Sequence, residues 1–176
     1  MTEMNEPRSF DEIYRELREQ ILALGLRMTG RREDAEDVLQ ETFLLVHRHL
    51  PSFRGESKVS TWVYRIATRV ALATRNRRPV GRPAPLDPEV VGDDPASVPA
   101  DPLQSKEEVQ RIHLALQSLS PVHQAVLSLL AIDELSPSQV AEILGIPEGT
   151  VWSRASQARK LLRQKLSGAG SDEGAE

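Results

Sequence analysis

Apolar positions recur at helical spacing along most of the chain. Phe10, Ile13, Tyr14, Leu17, Ile21, Leu24 and Met28 follow at three- and four-residue intervals, which predicts an amphipathic helix. Ser9 precedes it with Glu12 three residues on, the capping-box pattern, and Gly30 supplies a stop. A second stripe, Ala35, Val38, Leu39, Thr42, Phe43, Val46 and Leu50, ends before Pro51. Its first turns hold Glu33, Asp34, Glu36 and Asp37. Acids there favour the positive helix end by roughly 0.3–1 kcal/mol each. After a loop from Ser52 to Ser57, Val59, Val63, Ile66, Ala67 and Val70 predict a third helix that runs out at Arg75-Asn76-Arg77-Arg78-Pro79. Short connections make residues 9–78 one small bundle of three to four helices.

Periodicity then stops. Residues 79–102 are rich in proline and read as an extended linker without a core, able to span up to roughly 70 Å at ~3.1 Å per residue. Helical spacing resumes with Val109, Ile112, Leu116 and Leu119 turned inward, the helix starting at Leu103 or at a box of Ser105 and Glu108. Ser120-Pro121 caps the next helix, which turns Val122, Val126 and Leu129 inward. Ser136-Pro137-Ser138-Gln139 caps another, with Val140, Ala141 and Leu144 following and Gly145 as a left-handed stop. A last helix from Glu148 to about Leu166 completes a four-helix domain over 103–166, and the Gly-, Ser- and acid-rich tail 167–176 is expected to be disordered. The fold class is all-α: two small helical domains joined by an extended acidic linker.

Composition supports this and narrows the chemistry. The 176 residues are 39% hydrophobic but only 4% aromatic, a balance suited to small helical cores of Leu, Val, Ile and Ala. A net charge of -4 argues on its face against nucleic acid, yet the charge is segregated. Between Arg54 and Arg82 the sole acid is Glu56, against Arg54, Lys58, Arg65, Arg69, Arg75, Arg77, Arg78 and Arg82. The stretch 83–102 carries Asp87, Glu89, Asp93, Asp94 and Asp101 and no Lys or Arg. Such asymmetry marks a local nucleic-acid footprint better than the average does. There is no cysteine, which excludes disulfides and thiol chemistry. The opening residues lack the apolar stretch of a secretion signal and no run approaches the ~20 residues of a membrane span, so a cytoplasmic location without membrane insertion is expected.

Gly145-Ile146-Pro147 makes a tight corner between Ala141-Glu142-Ile143-Leu144 and Thr150-Val151, the pattern of a helix-turn-helix over 137–156. Its second helix is expected to expose Thr150, Trp152, Ser153, Arg154 and Gln157 and to bury Val151, Ala155, Ala158 and Leu162. Such helices set their first turns against base edges, where an Arg paired with guanine contributes ~1–3 kcal/mol of discrimination. Arg159, Lys160, Arg163 and Lys165 suit phosphate or solvent. From Lys58 to Arg78, Trp62 and Tyr64 lie among arginines. Either aromatic serves equally as ordinary core, but aromatics interleaved with cations also suit unpaired bases, which stack for ~1–3 kcal/mol each. That matches the few kcal/mol needed to extract a base from a duplex. The acidic face of the second helix, Asp34, Asp37, Gln40 and Glu41, is either simply solvated or meets a basic protein surface. His47, His49, His113 and His123 have neither ligand spacing nor a carboxylate cluster, and no phosphate loop or nucleophile motif occurs. No enzymatic activity, metal or cofactor is expected.

Several motifs in order carry a resemblance: Leu26-Arg27-Met28-Thr29-Gly30, Glu33-Asp34-Ala35-Glu36-Asp37-Val38-Leu39-Gln40-Glu41-Thr42-Phe43, Phe53-Arg54-Gly55-Glu56-Ser57, Thr61-Trp62-Val63-Tyr64-Arg65-Ile66-Ala67 and Ala141 to Val151. The chain resembles the extracytoplasmic-function (group IV) sigma factors of bacterial RNA polymerase, within the sigma-70 family, from about Phe10 to Leu166. The resemblance implies a sigma region 2 over 9–78 and a sigma region 4 over 103–166. It implies that the 37–50 helix docks on the clamp helices of the polymerase's largest subunit, with Asp34, Asp37, Gln40, Glu41 and Phe43 as contacts. Residues 53–78 would open and read the minus-ten promoter element through Arg54, Lys58, Thr61, Trp62, Tyr64, Arg65 and Arg69. The helix-turn-helix would read the minus-thirty-five element through Thr150, Trp152, Ser153, Arg154 and Gln157 while its domain rests on the polymerase flap. The linker would thread toward the RNA path, and an anti-sigma factor would hold the protein inactive.

Some positions depart from the family pattern. Val59 stands where an aromatic is usual, Arg69 where an Asn is common, Trp152 where a Lys or Arg is usual, and Gln157 where an Arg is frequent. Arg31 occupies the place of an Asn or Asp cap. These changes bear on which promoter is read. The rival reading is a stand-alone helix-turn-helix regulator that is no polymerase subunit, which accounts for the C-terminal half only.

Overall fold

The computed structural model describes residues 9–77 and 102–168, for 102–107 and 168 the backbone alone, and among the described residues every regular element is helical. Helix α1 (Phe10–Thr29) begins at Ser9, whose hydroxyl accepts from the Glu12 amide while the Glu12 carboxylate accepts from the Ser9 amide at 2.9 Å. It stops at Gly30, which adopts the left-handed conformation (φ 77). Helix α2 (Arg32–His49) follows almost at once, and a single 3-10 turn, Leu50–Ser52, leads to α3 (Val59–Asn76). These helices pack pairwise around Ile13, Leu17, Ile21, Leu24, Met28, Val38, Val46 and Val63.

The C-terminal half comprises α4 (Pro102–Gln117), α5 (Pro121–Leu127), a π-helical turn (Ser128–Ile132), α6 (Pro137–Leu144) and α7 (Glu148–Gly168). The expected linker lies outside the described residues except for Pro102, and the expected tail except for Ser167 and Gly168, which belong to α7. The apolar interior continues from α1–α3 into Ala125, Val126, Leu129, Val140 and Ile143, because α3 packs against α5 and α6 as well as α1 and α2. Val109, Ile112 and Val122, expected to face inward, are exposed instead. Periodicity identifies an apolar stripe, but here the core takes Ala115, Leu119, Ala125 and Val126, leaving Val109 and Ile112 beside Leu22 and Leu26 of α1 in an open groove.

Helices α1 and α2 approach closely at Gly25, where an added Cβ would stand 3.1 Å from Ala35 Cα and 3.2 Å from its carbonyl oxygen. Those are backbone atoms that cannot swing aside. Gly25→Val is therefore expected to destabilise the fold by about 1–3 kcal/mol. Thermal denaturation would read this as a melting point lower by roughly 2–4 °C per kcal/mol; an unshifted transition would contradict the contact.

Candidate nucleic-acid interface

Lys58, the residue before α3, and Trp62, Arg65 and Arg69 on it recur at intervals of four, three and four, which places them along one face. Lys58 and Arg69 are exposed, while Trp62 and Arg65 are half-buried. Phe53, in the preceding loop, packs against Trp62 with ring centroids 4.9 Å apart and planes tilted by 36°. With Arg54, Arg65 and His49 they line an open cavity of about 600 Å³, walled on its far side by Glu142 of α6. An aromatic floor ringed by guanidinium groups can stack a planar base and hold its phosphate.

Thr61 and Tyr64, expected to contact DNA, are buried in this arrangement of the two halves. They lie with Thr68 and Ala71 on a second buried stripe of α3, formed because this helix is covered by the C-terminal half as well as by α1 and α2. The Tyr64 hydroxyl donates to Asp133 Oδ1 at 3.3 Å, and the Arg27 guanidinium donates to Asp133 Oδ2 at 2.6 Å. This ion pair is largely withdrawn from water, the side chains being 16% and 6% exposed. Burial, reinforced by the adjacent Asp133 carboxylate, pushes the Tyr64 phenol up, so it stays a neutral donor. Burial likewise raises the Asp133 carboxyl, against the opposing pull of Arg27. Arg65 donates to Glu142 at 2.8 Å across the same boundary.

The helix-turn-helix is built as the sequence predicts. Ser136 and Gln139 form a reciprocal capping box, Pro137 occupies the first turn, and Gly145 (φ 65) ends α6 with its amide donating to the Ala141 carbonyl. Val151, Ala155 and Ala158 of α7 are fully buried, which turns the opposite face outward. Ser153 and Gln157 sit near the middle of that face and are exposed, Thr150 and Arg154 flank it half-buried, and Trp152 (52% exposed) stands on the other flank at ~100° per residue. Gln157 Oε1 is 3.3 Å from His123 Nε2, whose other ring nitrogen meets the Ser120 hydroxyl at 2.7 Å.

On α2 the exposed polar residues Asp37, Gln40 and Glu41 share a face with Leu44. Asp34 and Phe43, expected on this contact face, are buried. Phe43 lies under Phe10 and Tyr14 of α1, with ring centroids 6.2 and 4.8 Å away, and Asp34 adjoins fully buried Ala35. The sequence reading missed Leu44, 70% exposed, although an apolar residue three and seven positions after two residues of the acidic face was a visible signal. It also missed Phe53 as a partner of Trp62, which only tertiary packing reveals. Among the described residues no cluster of His, Asp or Glu is arranged to hold a metal ion, and no helix is long and apolar enough to cross a membrane.

Comparison with known proteins assigns both halves. Residues 13–78 match Sigma-70 region 2, and residues 109–162 match Sigma-70, region 4. The ECF RNA polymerase sigma factor SigW of Bacillus subtilis is 34% identical over 169 residues, covering 90% of this chain and 89% of the relative. The RNA polymerase sigma-H factor of Pseudomonas aeruginosa is 32% identical over 173 residues, covering 90% of this chain and 86% of the relative. The sigma factor RpoE of Bartonella quintana, solved in complex with the anti-sigma factor NepR, shares the fold at a TM-score of 0.72 with 22% identity, covering 90% of this chain and 96% of that one.

Proposed function

Because the chain belongs to the extracytoplasmic-function group of the sigma-70 family, we propose that it joins core RNA polymerase, directs it to particular promoters and opens the minus-ten element there. The observation that carries this reading is the Lys58-Trp62-Arg65-Arg69 face with the Phe53–Trp62 cavity at its head. A stand-alone DNA-binding regulator has no use for such a surface, whereas strand capture needs aromatic platforms beside cations. The exposed α2 face, Asp37, Gln40, Glu41 and Leu44, is the polymerase-docking surface in this reading. Residues 37–50 dock, residues 53–78 melt, and residues 137–156 read the minus-thirty-five element. Control by an anti-sigma factor belongs to the same reading, as the RpoE relative was solved with one.

The deciding experiment is transcription in vitro with core polymerase over a library of promoter sequences. Specific transcripts that start only when the chain is added are the expected result; DNA binding without initiation from any template would instead favour the regulator. Within that assay, Arg154→Ala is expected to reduce use of the preferred minus-thirty-five sequence by roughly 5- to 150-fold, the equivalent of ~1–3 kcal/mol for one guanine contact. An unchanged footprint would remove Arg154 from base reading.

A further inference from the structure

The outward face of α7 is tied to a neighbouring helix through Gln157. His123, in the first turn of α5, sets its Nε2 3.3 Å from Gln157 Oε1 and its Nδ1 2.7 Å from the Ser120 hydroxyl. The proton positions follow from the partners. Ser120 is the N-cap of α5 and its oxygen already accepts from the His123 amide, so its hydroxyl proton goes to Nδ1. A neutral imidazole that accepts at Nδ1 carries its hydrogen on Nε2 and donates it to Oε1, which can only accept. The relay thus runs in one direction, from Ser120 through His123 to Gln157. Protonating the ring would turn the Ser120 bond around and leave the Gln157 bond as it is, because Nε2 is a donor in both forms.

Packing fixes the span between the two helices. Leu127, one turn after His123 on α5, is buried with Leu119 and with Ala158 of α7, the residue next to Gln157. Ser153, one turn before Gln157 on the same outward face, spends its hydroxyl on the Thr150 carbonyl at 3.1 Å within its own helix. A free glutamine amide can turn over and offer either its oxygen or its NH2 group, so it discriminates weakly between bases. With Oε1 tied to His123, the NH2 group and one oxygen lone pair are left in a fixed order. Adenine has the matching major-groove edge, since its N7 accepts and its N6 amino group donates. Guanine would set its O6 acceptor against the amide oxygen. We propose that His123 is a positioning residue for promoter reading, holding the Gln157 amide in one orientation so that it selects adenine at the base pair it meets. This rests on the reading of α7 as the minus-thirty-five helix and adds to it a base and a residue on another helix.

The test uses the full chain bound to bacterial core RNA polymerase and duplex DNA randomised across the minus-thirty-five region, selected for binding and sequenced. The native chain is expected to prefer adenine on one strand at one position by roughly 5- to 150-fold, the range of a good bidentate contact, and Gln157→Ala to abolish that preference. His123→Phe keeps a ring but no donor. It should lower the same preference by roughly 2- to 12-fold, the ordering cost of one long side chain, and alter no other position. Added to Gln157→Ala it should have no further effect, because the two residues act as one unit. His123→Gln, which returns an N–H donor at similar reach, should restore the preference. An equal loss at every position in His123→Phe would make His123 a packing residue and overturn the proposal. A preference lost in Gln157→Ala but kept in His123→Phe overturns the proposal alone, as does a base other than adenine at the Gln157 position. A loaded polymerase that selects no sequence, or one whose selection ignores Gln157→Ala, overturns the reading of α7 as well.

Discussion

Trp62→Ala is expected to slow promoter opening by roughly 5- to 150-fold while leaving polymerase docking intact. The range is the ~1–3 kcal/mol that one aromatic platform contributes per stacked base, expressed as a rate. The indole is half-buried against Phe53 at 4.9 Å on the face that also carries Lys58, Arg65 and Arg69. Removing it takes away the floor of the cavity without touching the buried stripe of Val59, Val63, Ala67 and Val70 that holds α3 to its bundle. Unpaired thymines detected by permanganate in the polymerase–promoter complex give the readout. Trp62→Phe serves as the control, because it keeps a ring to stack on and should recover most of the rate. If alanine opened promoters as fast as the native chain, Trp62 would be a packing residue only. Arg65 behaves differently from Trp62, because its guanidinium must first leave Glu142.

Elements set by neighbours in sequence were legible before the structure. The capping boxes at Ser9 and Ser136, the left-handed stops at Gly30 and Gly145, and the Val151-Ala155-Ala158 stripe of α7 all depend on residues within a few positions. Misreadings arose where a helix has two buried sides or where one residue of rotation matters. Phe43 and Leu44 are adjacent apolar residues about 100° apart: the pattern placed Phe43 on the buried stripe, the resemblance named it a contact, and Leu44 is the one that stands exposed. Thr61 and Tyr64 sit beside Trp62 in an arginine-rich segment, yet Tyr64 turns inward to Asp133, 69 positions away. No local signal encodes a contact over that separation, nor the π-helical turn that presents Asp133. Val109 and Ile112 were misassigned because the stripe continues beyond the part of α4 that meets the core. Trp152 and Gln157 were legible as departures from the family pattern, but their place on α7 was not: they stand on separate parts of its outward face.

Leu44→Asp is expected to weaken the complex with core polymerase by about 30-fold or more, the equivalent of a ~2 kcal/mol hot spot. A large apolar side chain 70% exposed on a helix whose neighbours are Asp37, Gln40 and Glu41 gains nothing from water and has a large apolar area to bury in an interface. Its replacement leaves the fold untouched, because the core side of α2 is Ala35, Val38, Thr42, Phe43 and Val46. The charged neighbours act in another way. Exposed carboxylates at an interface rim mainly steer the encounter, so Asp37→Asn or Glu41→Gln should lower the association rate several-fold at low salt and little at high salt. Leu44→Asp should act on the dissociation rate at every salt concentration, as loss of a buried anchor does. Competition between native and variant chains for core polymerase, with both rates followed over a salt series, separates the two contributions. Native affinity in Leu44→Asp would mean that the polymerase grips another face.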